Sequence, residues 1–566
     1  MDSQETSSTG TPQSPWFGLV LGALPALAVG VGMWFEASWA TGILQRWDFL
    51  VAWGALLVFL LGQRLWTGNP FAGSGYRWAM LAAPVPALVA MLTLGGPITN
   101  DEYAYIYQAE QLASGNMTEA LPAAAEDGTS LLEVFRRRQL YEDPEQGVRF
   151  AKYAPGSSLA LTPLTALGLP PLITTLLLAL LNLRLLYCLA KRLDLGPPAI
   201  AAVLYATSPF FLLVHSSVQS EVFTTPAVLG LALVLMRARQ QESGLAWSHG
   251  VWIGALSGWV FLVRPLTGVL VALAATLVVL AWSKSWSLKL RTLGLATVGG
   301  LPFLAFLLWW NQQLTGDWGT NVYEVYAQKY GPFDPKLLPE RVPIDVYGKG
   351  DFLQGLLRQT ARWGVALGGM LGAIGLGFWG CWQLRKRDGG FALAVALLIP
   401  LAYAWHWYPG HRAYLGPLYA FESCGLLLLG LLAFARRMPQ RQGNALLLAC
   451  IACGGAVFAV RWPLIADEAQ ARSMPQRVAS EAPEGAVIFL PPKREGRKEL
   501  AFKYWTPSLP EDLQDPAARV VLRTTGRFPA PRLVQEFGLQ DRPLFYLRPD
   551  PEDSRQGTLE AFSLPR

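Results

Sequence analysis

The sequence predicts an all-α membrane protein that crosses the bilayer about thirteen times and carries a small α/β domain at its C-terminal end. Of the 566 residues, 52% are hydrophobic and only 15% are charged, whereas soluble domains carry about 25% charged residues. The charges are also unevenly spread, since 30 of the 86 lie within residues 464–566. These observations exclude a disordered chain, a coiled coil and an ordinary soluble enzyme.

Thirteen apolar segments approach the length of about 20 residues that a spanning helix needs. The candidate spans are 16–35, 47–66, 78–98, 165–190, 198–216, 221–237, 248–263, 265–283, 292–311, 361–384, 391–408, 414–435 and 444–463. The Ser/Thr-rich residues 1–15 are predicted to be disordered. Because no basic region precedes the first span, we expect it to be a retained helix rather than a cleaved signal peptide.

The Lys and Arg residues of the short loops predict the orientation of the membrane region, residues 16–463. With a cytoplasmic N-terminus, fifteen basic residues fall in inner loops and three in short outer loops. The fifteen are Arg64, Arg77, Lys191, Arg192, Arg237, Arg239, Lys284, Lys289, Arg291, Arg385, Lys386, Arg387, Arg436, Arg437 and Arg441. Short basic loops stay inside, so segments 99–158, 312–360 and 464–566 are predicted to lie outside. The net charge of +6 then orients the spans, and no nucleic-acid partner is predicted.

The C-terminal segment, 464–566, is predicted to be a soluble α/β domain outside the membrane. Residues 485–490, 519–523 and 543–547 have the apolar, β-branched character of short strands. Residues 531–537 are predicted to form a helix between the last two strands, which gives a βαβ-like end. The segment shows no metal-binding or phosphate-binding motif, which favours a binding or packing module.

The first outer segment opens with an acidic pair, Asp101-Glu102, directly after the third span. Thr99 and Asn100 are candidate caps for a helix that begins here, and Gly115 is a candidate for its end. Two interpretations stay open. The pair either serves only the capped start of an interfacial helix, or it supplies carboxylates for acid–base chemistry.

The same segment closes with the stretch RFAKYAPGSSLALTPL, residues 149–164. Lys152 in this stretch either extends to the phosphates of the lipid headgroups or binds a specific phosphate that faces Asp101. Tyr153, Ala154, Pro155 and Gly156 follow before the chain re-enters the membrane.

This arrangement resembles the GT-C superfamily of membrane glycosyltransferases, which includes the protein O-mannosyltransferases and the lipid A aminoarabinose transferase. The shared features are an acidic pair after a span, a long outer loop, and a basic-Pro-Gly stretch before the next span. The resemblance covers about residues 78–420 and depends on short motifs. Two features depart from the family pattern, because the pair follows the third span rather than the first, and KYAPG replaces a double proline. The resemblance implies a GT-C-like fold and a polyprenyl-phosphate-linked sugar donor.

Further polar residues fall where such a site would need them. Glu221, in HSSVQSEVFTTP, resembles the family's second acid, or it initiates a helix. Arg264, in the sharp turn FLVRPLTG, is an ionisable residue beside short spans and therefore a functional candidate, or it caps the turn. Glu422 is expected to pair with Arg264 or with Arg412, and the sequence does not choose between them.

Two aromatic stretches complete the candidates. The outer loop WHWYPGHRAYLG contains His406, His411 and Arg412, which suit a phosphate or a sugar or belong to an aromatic belt. The second large outer segment carries Tyr323, with Tyr326 and Tyr330, which line an acceptor groove or pack the loop.

The resemblance implies the following roles for an inverting glycosyltransferase at the outer face of the plasma (inner) membrane. Asp101 is the general base, while Glu102 and Glu221 position the acceptor, and Asp101 and Glu221 are the candidate ligands for any divalent cation (Mg²⁺ or Mn²⁺). The predicted donor-phosphate ligands are Lys152, Arg264, His411 and Arg412. The predicted substrate-lining residues are Tyr105, Tyr153, His406, Tyr323 and Glu422. The acceptor is a protein, a lipid or a glycan. Two other hypotheses are a flippase for lipid-linked sugars and a non-enzymatic lipid-binding subunit.

Overall fold

A computed structural model describes most of the chain from residue 75 onward. The described residues are 58, 61, 75–94, 97–121, 134, 139–240, 247–282, 285–330, 363, 366–368, 373–385, 389–404, 411–412, 416–490, 513, 515–550 and 556–563. The predicted disordered N-terminus, the first span and His406 lie outside the described residues, as do most of the second span and much of the segment 312–360.

The described part of the membrane region is built of helices. Their bounds are α1 Gly75–Ala82, α2 Val85–Thr93, α3 Asn100–Ala113, α4 Gly156–Ala166, α5 Leu172–Arg192, α6 Ala199–Ala206, α7 Pro209–Val214, α8 Ser220–Gln240, α9 Trp247–Val263, α10 Pro265–Trp282, α11 Trp286–Thr315, α12 Val322–Tyr330, α13 Ala373–Leu384, α14 Gly390–Ala404, α15 Phe421–Arg437 and α16 Gln440–Ser480. Within the described residues, five helical segments are long and apolar enough to cross a membrane, and shorter apolar helices accompany them. The protein is therefore a multi-pass membrane protein.

Prolines divide two of the predicted spans. The segment 198–216 forms α6 and α7 rather than one helix, because Ser208 caps a new helix whose first residue is Pro209. The predicted span 165–190 likewise begins only at Leu172, after Pro170 and Pro171.

Glycines allow two of the helices to approach closely. Gly250, Gly254 and Gly258 recur every four residues along α9, which packs against α11. A Cβ atom at Gly254 would lie 1.8 Å from the carbonyl oxygen of Ala296, so a larger residue does not fit there. This spacing of small residues is typical of tightly packed membrane helices.

Basic and acidic residues lie at opposite ends of the central helices. Helix α8 carries Glu221 in its first turn and basic residues in its last turn, and α15 carries Glu422 and a basic last turn in the same way. At the basic end, Nε of Arg436 donates to the carbonyl oxygen of Leu195, 3.1 Å away, and Arg192 donates to the side chain of Gln240.

The segment 99–158, which we call the first outer segment after its predicted side, contains α3 and a small antiparallel sheet of strand order β1-β3-β2. The strands are β1 Glu119–Ala120, β2 Leu140–Asp143 and β3 Val148–Ala151. Glu119 lies opposite Arg149 in the register, and the two side chains form an ion pair. The hydroxyl of Tyr107, on α3, donates to Oε2 of Glu119 over 2.7 Å, so this pair joins the sheet to α3.

The C-terminal region contains a four-stranded sheet of order β7-β6-β8-β9. Its elements are β6 Val487–Leu490, β7 Val520–Arg523, α17 Ala530–Glu536, β8 Leu544–Pro549 and β9 Gly557–Ala561. Strands β7 and β8 both pair in parallel with β6, and α17 connects them. The three predicted strands and their helix are therefore present, and β9 adds an antiparallel edge that the sequence analysis missed.

Helix α16 continues past the predicted domain boundary at residue 463. It contains Pro463 and Pro475 and ends only at Ser480, shortly before the sheet begins. Val134, from the first outer segment, is fully buried in the hydrophobic core of the sheet together with Val487 and Phe489.

Candidate active site

The acidic pair lies at the N-terminus of α3, where a capping box forms. Oγ1 of Thr99 accepts a hydrogen bond from the backbone N–H of Glu102, and Oε1 of Glu102 accepts from the backbone N–H of Thr99 over 2.9 Å. This exchange satisfies N–H groups that a helix start leaves without partners. Thr99 is thus the cap, as one of the two sequence interpretations predicted, and Gly115 follows the helix with a φ of 82°.

Glu102 is fully buried, and both of its carboxylate oxygens accept hydrogen bonds. The backbone N–H of Val218 donates to Oε2 over 3.0 Å, and the side chain of Gln219 donates to Oε1 over 3.3 Å. Burial raises the pKa of Glu102, and the hydrogen bonds from Val218, Thr99 and Gln219 oppose this effect. Glu102 therefore joins α3 to the turn before α8. This geometry favours a positioning role over the predicted catalytic one.

Asp101 is half-buried and lies next to the β2–β3 hairpin. Its Oδ1 accepts a hydrogen bond of 2.8 Å from the hydroxyl of Tyr153 and one of 3.2 Å from Nε2 of Gln139. Burial, followed by the nearby charge of Asp101, raises the pKa of Tyr153 well above its usual value. The phenol therefore keeps its proton and donates to the carboxylate.

Lys152 follows β3 and is enclosed by tyrosine rings from both outer segments. Its Nζ lies 5.1 Å from the ring centroid of Tyr153, 4.9 Å from that of Tyr323 and 4.4 Å from that of Tyr326. A cation at such distances is attracted by the faces of aromatic rings. Only 7% of Lys152 is exposed, so the tyrosines fix a largely desolvated ammonium group.

The tyrosines also connect this lysine to the acidic helix. The ring centroids of Tyr105 and Tyr153 lie 4.8 Å apart, and those of Tyr153 and Tyr323 lie 6.3 Å apart. The structure therefore brings together five of the predicted residues. These are Asp101, Lys152, Tyr105, Tyr153 and Tyr323. We call these five, with Gln139 and Tyr326, the acid–lysine site.

Gly156 places the end of the hairpin against the membrane helices. It begins α4, and a Cβ atom there would lie 2.6 Å from a methyl carbon of Val263, the last residue of α9. The glycine of the stretch KYAPG is thus needed for close packing beside the turn that contains Arg264.

Arg264 lies between two buried carboxylates. Its Nη1 is 2.9 Å from Oε1 of Glu221 and 2.8 Å from Oε1 of Glu422. The hydroxyl of Thr224 also donates to Oε1 of Glu422 over 3.0 Å. We call Glu221, Arg264 and Glu422 the carboxylate–arginine triad.

The triad decides between the alternatives that the sequence left open. Glu422 pairs with Arg264. It lies in the first turn of α15, because this helix begins at Phe421 after a 3₁₀ turn and not at residue 414, where the predicted span begins. Arg264 neither extends to lipid nor faces solvent, since only 8% of it is exposed. With two carboxylates against one guanidinium, the triad offers little free positive charge to a phosphate.

The remaining predicted ligands are described less fully. His411 and Arg412 form strand β4, which pairs with strand β5, Gly416–Pro417, in a short antiparallel hairpin. His406 lies outside the described residues, and the side chains of His411 and Arg412 are not described. Within the described part of the chain, no group of three or more His, Cys, Asp or Glu side chains could hold a metal ion. Glu221, one of the two predicted metal ligands, forms an ion pair with Arg264.

Two residues of these sites have no signal in the sequence. Gln139 precedes β2, and its contact with Asp101 spans 38 positions of the chain. Gln219 bonds to both Thr99 and Glu102 across about 120 positions. Gln139 lies outside the predicted motifs, and Gln219 lies in HSSVQSEVFTTP, where only Glu221 was a candidate, so only the folded structure brings these amides to the acidic turn.

A comparison with protein families agrees with the resemblance to membrane glycosyltransferases. The model of the family described as dolichyl-phosphate-mannose-protein mannosyltransferase matches residues 164–310. This match confirms the resemblance predicted from the sequence. The match spans about a quarter of the chain, which is similar to this family over that stretch.

Several solved structures are similar to the chain at low sequence identity. The crystal structure of ArnT from Cupriavidus metallidurans in the apo state is 13% identical, with a TM-score of 0.47, and the match covers 84% of this chain and 94% of that chain. The same protein bound to undecaprenyl phosphate is 14% identical, with a TM-score of 0.45, over 84% and 93% of the two chains. The arabinofuranosyltransferase AftD from Mycobacteria is 16% identical, with a TM-score of 0.39, over 73% of this chain and 29% of that chain. Among curated proteins, none matches this chain.

Proposed function

We propose that the protein is an inverting glycosyltransferase that moves a monosaccharide from a polyprenyl-phosphate-linked donor to an acceptor hydroxyl at the outer face of the membrane. The observation that carries this proposal is the convergence of a carboxylate, Asp101, and a largely buried lysine, Lys152, on the same tyrosine, Tyr153. The matched family supports the donor class, because its description names a polyprenyl-phosphate sugar, dolichyl-phosphate mannose.

In this mechanism, Asp101 takes the proton from the acceptor hydroxyl. The hydroxyl oxygen attacks the anomeric carbon of the donor from the side opposite the phosphate, so that the configuration inverts as the bond to the phosphate breaks. Tyr153 and Gln139 both donate to Oδ1 of Asp101, which holds the carboxylate in one orientation. A correctly positioned general base contributes about 10²–10⁴-fold to a rate.

Lys152 stabilises the leaving polyprenyl phosphate. The bond to the sugar breaks with a gain of negative charge on the phosphate oxygen, and a fixed cation in a partly desolvated site lowers the energy of that charge. Three tyrosine rings hold the ammonium group in place before the donor arrives. His411 and Arg412 are proposed to add positive charge from the β4–β5 hairpin. We assign Arg264 to positioning instead, because two carboxylates already neutralise it.

We further propose that the acid–lysine site lies outside the plasma membrane and that the N-terminus is cytoplasmic. The basic last turns of α8 and α15 lie opposite to the acidic first turns of the same helices, and α5 also ends in a basic turn. Basic helix ends on one side agree with the positive-inside rule. The burial of Val134 in the core of the C-terminal sheet supports an arrangement in which that sheet shares the side of the first outer segment. The proposed outer domain then begins after Ser480, where α16 ends, rather than at residue 464.

The test is mass spectrometry of the lipids that the purified protein carries, before and after addition of a membrane extract. We expect the wild type to convert a polyprenyl-phosphate sugar to polyprenyl phosphate. Asp101→Asn keeps the shape of the side chain but not its basicity, so it should retain the intact donor and lose about 10²–10⁴-fold in rate. Asp317→Asn, at an exposed aspartate of the second outer segment, is the matched control and should behave as the wild type.

Two results would contradict the proposal. One is a wild type that neither retains nor consumes such a lipid, which would direct attention to transport assays. The other is Asp101→Asn with the turnover of the wild type, which would remove Asp101 from the chemistry.

A further inference from the structure

Gln139 connects the two charged residues of the acid–lysine site. It stands at the open end of the β2–β3 hairpin, where its carbonyl oxygen accepts a hydrogen bond of 3.2 Å from the backbone N–H of Lys152. Its side-chain Nε2 donates to Oδ1 of Asp101 over 3.2 Å. One residue therefore contacts both the carboxylate and the backbone that carries the lysine.

The backbone of Gln139 has an uncommon conformation. Its φ is 68°, in the left-handed region that residues other than glycine, asparagine and aspartate rarely adopt. Such conformations carry a cost in free energy, and they cluster where the geometry of a functional site requires them. Here the left-handed turn brings the carbonyl group to Lys152 and leaves the side chain beside Asp101.

The amide oxygen of the Gln139 side chain also has an unusual environment. Oε1 of Gln139 is buried and has no hydrogen-bond partner among the described residues. Its identity as oxygen follows from its neighbour, because the atom that contacts Asp101 must be the donor, Nε2. A buried acceptor next to a carboxylate is suited to a group that donates a hydrogen bond, such as a hydroxyl.

We infer that Gln139 is a positioning and substrate-binding residue: its Nε2 sets Asp101 relative to Lys152, and its Oε1 accepts a hydrogen bond from a substrate hydroxyl. This inference rests on the proposed function, and it names the ligand class as a hydroxyl-bearing sugar or acceptor. A hydroxyl bound at Oε1 lies beside Asp101, so the amide selects the orientation in which that carboxylate can take a proton.

Two substitutions at Gln139 separate this role from a merely structural one. Gln139→Asn suits the left-handed φ but is one methylene shorter, so it keeps the turn and loses the reach to Asp101. Gln139→Glu keeps an acceptor oxygen but places a like charge beside Asp101, which raises the pKa of that carboxylate. Gln146→Glu is the matched control, because it makes the same change at an exposed position in the turn of the same hairpin.

The experiment measures the turnover of a polyprenyl-phosphate sugar between about pH 4 and pH 9, with thermal unfolding of each variant in detergent. We expect Gln139→Asn to lower kcat by about tenfold or more, since an error of about 1 Å in positioning can cost about 10²-fold. Gln139→Glu should shift the acidic limb of the kcat/KM profile to higher pH, and Gln146→Glu should not. Tyr105 and Tyr153 do not produce this limb, because burial raises their pKa values.

Other results would overturn either the inference about Gln139 or the proposed function. Wild-type kcat and pH profiles in both Gln139 variants would overturn the inference. So would a loss of activity in Gln139→Asn that only matches a loss of folded protein. A wild type without turnover or bound donor would overturn the proposed function itself, and with it the inference.

Discussion

The acid–lysine site and the carboxylate–arginine triad combine the same kinds of side chain in different ways. In the triad, Arg264 contacts Glu221 and Glu422 at 2.9 and 2.8 Å, and all three residues are buried. In the acid–lysine site, Asp101 and Lys152 both contact Tyr153. The carboxylate accepts from a phenol and an amide, and the ammonium group faces tyrosine rings.

This difference separates a structural cluster from a chemical one. Opposite charges that pair in a buried place hold the helices that carry them together, since removal of one partner leaves the other buried and unpaired. A carboxylate within hydrogen-bond reach of a substrate hydroxyl can act as a general base. A lysine whose ammonium group lies against aromatic faces is held in one position. The same residue types therefore serve packing in one region and, as we propose, catalysis in the other.

The largest expected effect is a loss of stability when a substitution breaks the triad. Arg264→Met leaves two buried carboxylates without their cation, and removal of one partner from a buried ion pair costs about 3–5 kcal/mol. Glu422→Gln should have a much smaller effect, because it leaves one carboxylate for one guanidinium. Thermal unfolding of both variants in detergent measures the difference.

The double variant sharpens the comparison. Arg264→Met combined with Glu422→Gln removes one of the two carboxylates that the single variant leaves unpaired, so it should regain part of the lost stability. If Arg264→Met instead unfolds like the wild type but loses turnover of the lipid-linked sugar, Arg264 belongs to the phosphate site, as the sequence first indicated.

The second largest expected effect is a fall in kcat when the charge of Lys152 is removed from the acid–lysine site. Lys152→Met preserves the length and apolar stem of the side chain among the tyrosines but removes the charge. We expect kcat to fall by about 10²–10³-fold, the usual effect of removing one electrostatic stabiliser of a developing anion. Single-turnover assays with a purified donor lipid measure the fall.

A second lysine provides the control for this prediction. Lys329 also lies over a tyrosine ring, 4.8 Å from the centroid of Tyr141, but it is exposed at the end of α12. Lys329→Met should therefore keep the wild-type kcat. Equal losses in the two variants would mean that the lysines matter through packing on tyrosine and not through charge at the site.

Local patterns in the sequence predicted the parts of these regions that depend on neighbours in the chain. Thr99 and Asn100, just before the acidic pair, were the predicted candidate caps of a helix, and Gly115 was the candidate for its end. Tyr323 and Tyr326 were predicted to line an acceptor groove or to pack the loop. Contacts within one or two helical turns join residues that are close in the chain, so a local pattern in the sequence can predict them.

Contacts between distant parts of the chain could not be predicted in the same way. Glu422 is 158 positions from Arg264, and the sequence offered Arg412 as an equal partner. The segment 198–216 is apolar enough for one span, but Ser208-Pro209 divides it, which apolar content alone does not reveal. Gln139 was not predicted because its contacts depend on a left-handed backbone conformation that glutamine rarely adopts.

The smallest expected effect tests how the acidic turn is built. Thr99→Val preserves the shape of the side chain but removes Oγ1, which accepts from the backbone of Glu102 over 3.3 Å and from Nε2 of Gln219 over 2.6 Å. Loss of a helix cap costs about 1 kcal/mol, so the unfolding temperature should fall slightly. Glu102 also bonds to the backbone of Val218, so the turn should keep its place and kcat should fall much less than in Lys152→Met. A fall in kcat as large as that of Lys152→Met, with little change in stability, would show that the cap itself sets the position of Asp101.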